Sequence, residues 1–119
     1  MNGRVFALCL VAVQGRRCFY CSSTLDGPTT SRPRDNQWSR DHVVPQRAGG
    51  LSYRNIVIAC HRCNSSKGHS APTVADRARA ADIYDRALAI YAAFLGETVT
   101  EAALKQLPGY PGERGTKAA

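Results

Sequence analysis

Apolar positions fall into four stretches of different pattern, and each predicts a different element. Val5–Val13 (VFALCLVAV) is apolar throughout, with neither alternation nor an amphipathic stripe. It reads as a buried helix or strand, and it is far shorter than the ~20 residues that cross a bilayer. Its length also suits a signal-peptide core. Against export, only Arg4 precedes it as a basic residue, and Val13-Gln14-Gly15 is a poor cleavage site. The buried element is preferred, with Cys9 as a small core residue. Trp38–Val44 and Asn55–Ala59 (NIVIA) are β-rich; Pro45 ends the first and Gly49-Gly50 marks a turn between them. His61–Lys67 then starts a short helix that Gly68 breaks.

The clearest helix runs from Thr73 to Leu95. Val74, Ala78, Ala81, Leu88, Tyr91 and Leu95 recur at helical spacing, and Ile83, Ala87, Ile90 and Phe94 widen the stripe. Thr73 is placed to cap its start and Gly96 its end. The opposite face carries Asp76, Arg77, Arg79, Asp82, Asp85 and Arg86, a mixture of signs that predicts solvent. Thr98-x-x-Glu101 resembles a capping box and predicts a second short helix to Gln106. Asp26–Gln37 is a turn-rich loop, and the Pro/Gly-rich residues 108–119 form a frayed tail.

With 119 residues, the chain is expected to form one domain over residues 1–107, with room for a modest core. Charge changes the picture more than length does. The formal net charge is +7 in total; residues 1–70 hold ten Lys/Arg against three Asp/Glu, and residues 71–119 hold six against six. The whole excess therefore sits beside the two β-rich stretches. Positive potential gathered on one region attracts polyanions, which points to nucleic acid. A basic surface kept for solubility would spread along the chain.

Four of the five cysteines form two Cys-x-x-Cys pairs, Cys18/Cys21 and Cys60/Cys63, leaving Cys9 over. The odd count and the two-residue spacing favour a tetrahedral structural zinc over disulfides or free core thiols. Phe19 and Tyr20, between the first two ligands, read as packing for that site.

Between the pairs lies the candidate chemistry. Phosphodiester hydrolysis needs an activated water, neutralisation of the phosphoryl oxygens and help for the leaving alkoxide. His42 can take the proton of the water. Asp41 and Asn64 can offer oxygen ligands to a hard divalent ion, Mg²⁺ or another. Neighbours on a regular strand point to opposite faces, so Asp41 and His42 call for a bend or bulge. Asn55 is an orienting residue for the His42 loop through backbone hydrogen bonds. Lys67, with Arg62, Arg40, Arg47, Arg32 and Arg34, is a candidate phosphate contact; for Arg32 or Arg34 alone an ordinary solvated arginine explains as much. His61 and His69 have no assigned role. Singly, each residue has a duller explanation: a knuckle cap, a turn Asn, a core histidine.

Together, Asp41-His42-x-x-Pro45, Gly49-Gly50, Asn55 and Cys60-x-x-Cys63-Asn64-x-x-Lys67-Gly68 resemble the HNH endonucleases, in the branch braced by a four-cysteine zinc. The likeness covers about residues 16–69. It implies an α+β fold: a small ββα-metal (His-Me) finger stapled by structural zinc. The family's motif says nothing about the packing C-terminal helical part over 73–107, which rests on periodicity alone. The likeness also implies His42 as general base, Asp41 and Asn64 as ligands of the catalytic ion, Asn55 as support, and cleavage of DNA, double-stranded by expectation, to 5′-phosphate and 3′-hydroxyl ends. The long Arg/Pro-rich loop between Cys21 and Asp41 departs from the compact pattern and delays the first strand. No membrane is expected as a partner, and the setting expected is cytoplasmic, the host cytoplasm if the chain is phage-encoded. A partner protein or a homodimer stays open. The rival reading is a non-catalytic zinc-finger module that grips nucleic acid alongside a partner; a scaffold whose zinc serves only folding is the third.

Overall fold

A computed structural model describes residues 3–66 and 71–93. The order of elements is α1 (Gly3–Val13), β1 (Trp38–His42), β2 (Ile56–Cys60), α2 (His61–Ser66) and α3 (Val74–Ala93), with a 3-10 turn at Gln46–Ala48. The two strands form an antiparallel ribbon in unbroken register, from Trp38↔Cys60 to His42↔Ile56. The small α+β architecture expected from the sequence is thus observed. The second helix over 98–106 and the tail lie outside the described residues.

The uniform run Val5–Val13 is a helix, and its lack of periodicity follows from burial around most of its circumference. Phe6, Ala7, Cys9, Leu10, Val11, Ala12 and Val13 are all buried. Burial pushes the Cys9 thiol up to about 11, consistent with a core residue. The helix stops in a Schellman motif: Gly15, at φ 69°, donates to Ala12 O, and Arg16 N donates to Val11 O.

α3 packs on α1 and on β2. Its cap is reciprocal, with Thr73 Oγ1 accepting from Asp76 N at 3.0 Å and Asp76 Oδ2 accepting from Thr73 N at 3.1 Å. The inward line differs from the expected stripe. Ala80, Tyr84 and Ala87 are buried, with Ile83, Leu88 and Tyr91 packed beside them, whereas Val74 is 74% exposed and Ala78 is exposed. In an alanine-rich helix several frames fit a stripe about equally, and the ring of Tyr84 decides between them. Tyr84 meets Phe6 edge-on at 4.9 Å and Tyr53 at 5.6 Å. The face expected to be solvated is partly engaged: Asp85 holds Arg54 through two bonds at 3.0 and 3.2 Å, and Arg79 lies 4.2 Å from the Phe19 ring centroid. Among the described residues no helix is long and apolar enough to cross a membrane.

A two-stranded ribbon has two open edges, and each is engaged at one residue. Trp38 bridges to Pro28 on one side. On the other, Gln14 acts as a surrogate strand: its Oε1 accepts from Ile58 N at 2.7 Å and its Nε2 donates to Ile58 O at 2.9 Å. Ile58 is fully buried, so removing this partner leaves its N–H stranded. Gln14→Ala should therefore cost about 1–3 kcal/mol in urea unfolding; a loss below ~0.5 kcal/mol would mean that the edge is satisfied otherwise.

Candidate active site

The first cysteine pair sits in a tight hairpin bracketed by a bridge between Arg17 and Thr24. Cys18 N donates to Ser23 O and Ser22 N to Cys18 O, which drives Ser22 into the left-handed region at φ 64°. The second pair straddles a junction: Cys60 ends β2, and Cys63 lies in the first turn of α2. All four sulfurs lie within 4.8 Å of one another, with Cys21 Sγ and Cys60 Sγ 3.8 Å apart. A tetrahedral zinc with arms of about 2.3 Å needs sulfur–sulfur edges of about 3.8 Å, so this donor set fits such an ion. Disulfide sulfurs would approach to about 2.05 Å, and all described cysteines are free.

Backbone N–H groups of Tyr20 and Cys60 point at Cys18 Sγ, and that of Cys63 at Cys60 Sγ, at 3.3–3.4 Å. Burial pushes the Cys60 thiol up and the Cys63 thiol far up. At Cys21 burial also opposes ionisation, but hydrogen bonds from Ser23, then from Cys63 and Cys18, bring the thiol down to about 6. Four sulfurs this close shed their protons together only around a cation. Arg62 curls over this cluster, donating to Cys21 Sγ at 3.5 Å and to Ser23 Oγ at 3.3 Å, and the bond to Cys21 raises the guanidinium pKa.

The ladder carries Asp41 and His42 without a bulge, so the expected distortion is not at this pair. The chain bends one step later, at Val43–Val44. Neighbouring Cα atoms are about 3.8 Å apart, so both residues serve one strand end while leaving opposite faces of the ribbon. Asp41 is only 6% exposed, and Tyr20 donates its hydroxyl to Asp41 Oδ2 at 2.6 Å. His42 is half-buried, with Nε2 3.2 Å from Ser52 Oγ. Asn64 reaches β1 from α2, its Nδ2 donating to Ser39 Oγ at 2.7 Å. Ser39 and Asp41 share a face by strand alternation, so α2 brings Asn64 to the face of Asp41. The carboxamide oxygen is the atom of Asn64 that suits a hard cation, as does a carboxylate oxygen of Asp41.

Asn55 closes the loop behind His42. Its Oδ1 accepts from Val44 N at 2.8 Å, and its Nδ2 donates to Val44 O at 2.9 Å and Leu51 O at 2.7 Å. Gly49 turns the loop at φ 91°, and a methyl on Gly50 would collide with the Val44 carbonyl oxygen. Both glycines of the pair are thus required by the same closure.

The arginines scatter. Arg32, Arg34 and Arg47 are exposed, Arg34 facing Asp26 at 3.7 Å. Arg40 lies over Gly3 at the start of α1, on the ribbon face away from Asp41. His61 Nδ1 is 3.5 Å from Ser65 Oγ. Lys67 and His69 lie outside the described residues. Sequence reasoning took Tyr20 only as packing and Asp85 only as solvated, and it missed Ser39, Ser52 and the Arg54–Asp85 pair. Their partners lie 10 to 31 residues away, and no local spacing announces such contacts.

A family profile described as HNH endonuclease matches residues 18–78, from the first cysteine of the cluster to the opening of α3. The CRISPR-associated endonuclease Cas9 of Actinomyces naeslundii is 34% identical over 71 residues, which cover 58% of this chain and 6% of that protein. The Cas9 of Corynebacterium diphtheriae is 34% identical over 59 residues, covering 48% of this chain and 5% of the relative. The chain thus corresponds to a small part of either relative. No solved structure gives a significant match.

Asn55→Ala would strand the Val44 N–H and free two carbonyls at a residue only 9% exposed. It should cost about 2–3 kcal/mol and speed hydrogen exchange at Val44. Unchanged exchange at Val44 would show that the loop is held by other contacts.

Proposed function

Because this chain belongs to the HNH endonuclease family, we propose that it hydrolyses phosphodiester bonds of double-stranded DNA, with a divalent ion and with His42 as general base. The observation that supports this reading is the strand end itself, where Asp41 and His42 are consecutive residues, the Asn55-closed loop follows them, and Asn64 is brought to the Asp41 face. Imidazole is suited to accept a proton from water near neutral pH, and Ser52 steadies the ring through Nε2. Asp41 and Asn64 would hold a Mg²⁺-class ion, which when bound neutralises the phosphate and the leaving oxygen. The products would carry 5′-phosphate and 3′-hydroxyl ends.

Substrate choice rests on charge. The +7 net charge and the exposed Arg32, Arg34 and Arg47 suit a polyanion gripped through its backbone, which positions the duplex without reading its sequence. Both relatives are endonucleases, which agrees with cutting rather than with binding alone.

Purified protein should nick or linearise supercoiled plasmid only when Mg²⁺ is present. His42→Ala should lose at least about 100-fold in rate while keeping DNA affinity within about twofold. Cutting retained by His42→Ala would remove this residue as base; binding without any cutting by the wild type would favour the non-catalytic module.

The same proposal assigns a structural zinc to Cys18, Cys21, Cys60 and Cys63. Binding of such an ion is worth on the order of 10 kcal/mol, comparable with the whole stability of a small domain. Cys60→Ser should therefore lose zinc by atomic absorption and melt without a cooperative transition. A mutant that folds and cuts without zinc would refute the staple.

A further inference from the structure

Tyr20 belongs to two sites at once. It lies between Cys18 and Cys21, and its backbone N–H donates to Cys18 Sγ at 3.4 Å. Its hydroxyl donates to Asp41 Oδ2 at 2.6 Å, within the short range of hydrogen bonds to a charged acceptor. The ring is wedged as well: Phe19 meets it edge-on at 5.0 Å, and Phe19 is itself covered by Arg79 from α3. The phenol therefore reaches Asp41 from a base that is fixed by the knuckle and by the core.

An aspartate carboxylate rotates about a broad terminal torsion unless something holds it. A cation bound through a loose carboxylate must pay for that ordering when it arrives. Here Tyr20 is placed to supply the order in advance. We infer that Tyr20 is a positioning residue that orients the Asp41 carboxylate for the divalent ion, and so ties the cysteine cluster to the ion site. The inference rests on the proposed reading of Asp41 as a ligand of that ion. Its sequence signature is only a Tyr inside a Cys-x-x-Cys, which by itself signals packing. The contact that gives it a role crosses 21 residues of chain.

The test is isothermal titration of zinc-loaded protein with Mn²⁺, without DNA, on wild type, Tyr20→Phe, Asp41→Ala and the double variant. Tyr20→Phe keeps the ring, and its zinc content should match the wild type. It should bind Mn²⁺ about 10-fold more weakly, the scale typical when a hydrogen bond to a metal ligand is lost. In plasmid cleavage it should need about 10-fold more Mn²⁺ for half-maximal rate, yet approach the wild-type rate at saturation. The double variant should bind no worse than Asp41→Ala alone, because Tyr20 acts through Asp41. If Asp41→Ala loses Mn²⁺ while Tyr20→Phe binds like wild type, Tyr20 does not position the ligand and only this inference falls. If Asp41→Ala itself binds Mn²⁺ like wild type, the assignment of Asp41 falls and takes the inference with it.

Discussion

Four sulfurs drawn within 4.8 Å of one another are the constraint on which the rest depends. A two-stranded ribbon is marginal in water, and this one has only five residues per strand. The cluster joins the hairpin before β1 to the end of β2, so it fixes the ribbon against a segment about 40 residues away in sequence. Loop closure over such a span costs entropy that a few apolar contacts cannot easily offset. Once the cluster is closed, α1 and α3 have a rigid surface to cover. The fully buried Val57, Ile58, Ala59 and Cys60 are the floor of that surface.

Each cysteine pair also delivers a polar side chain to the neighbouring site. The first delivers Tyr20 to Asp41, and the second delivers Asn64 to the face of Ser39 and Asp41. The cysteine cluster and the candidate chemistry are therefore parts of one geometry. α3 adds a third support, because Asp85 holds Arg54 directly before Asn55, and Tyr84 meets Tyr53. A helix on which the family motif is silent thus braces the loop that follows the candidate base.

Legibility in the sequence tracks the range of the contact. Cys18, Cys21, Cys60 and Cys63 could be read because ligand spacing is local, and the ribbon because β-branched runs between Pro and Gly are local too. The inward face of α3 could not, since alanines at Ala78, Ala80, Ala81 and Ala87 leave the frame undecided and only docking on Phe6 chooses it. The regular register at Asp41 and His42 ran against an expectation built on shared facing; the strand simply ends there, and the bend at Val43–Val44 comes afterwards. Tyr20, Ser39 and Ser52 were unreadable for another reason. A hydroxyl says nothing in sequence about which distant acceptor it will meet.

The partners of the candidate residues show why this strand end is suited to hold chemistry. Asp41 is bonded from the knuckle, Asn64 from β1, His42 from its own loop, and that loop from Asn55 and α3. No buried side-chain nitrogen or oxygen among the described residues lacks a partner. A polar network buried in so small a domain is costly when half satisfied and rigid when complete. Because the tethers come from the knuckle, from β1, from the loop over 43–55 and from α3, the shape of the strand end depends on the fold of the whole domain. Rigidity at the site and integrity of the fold are then the same property.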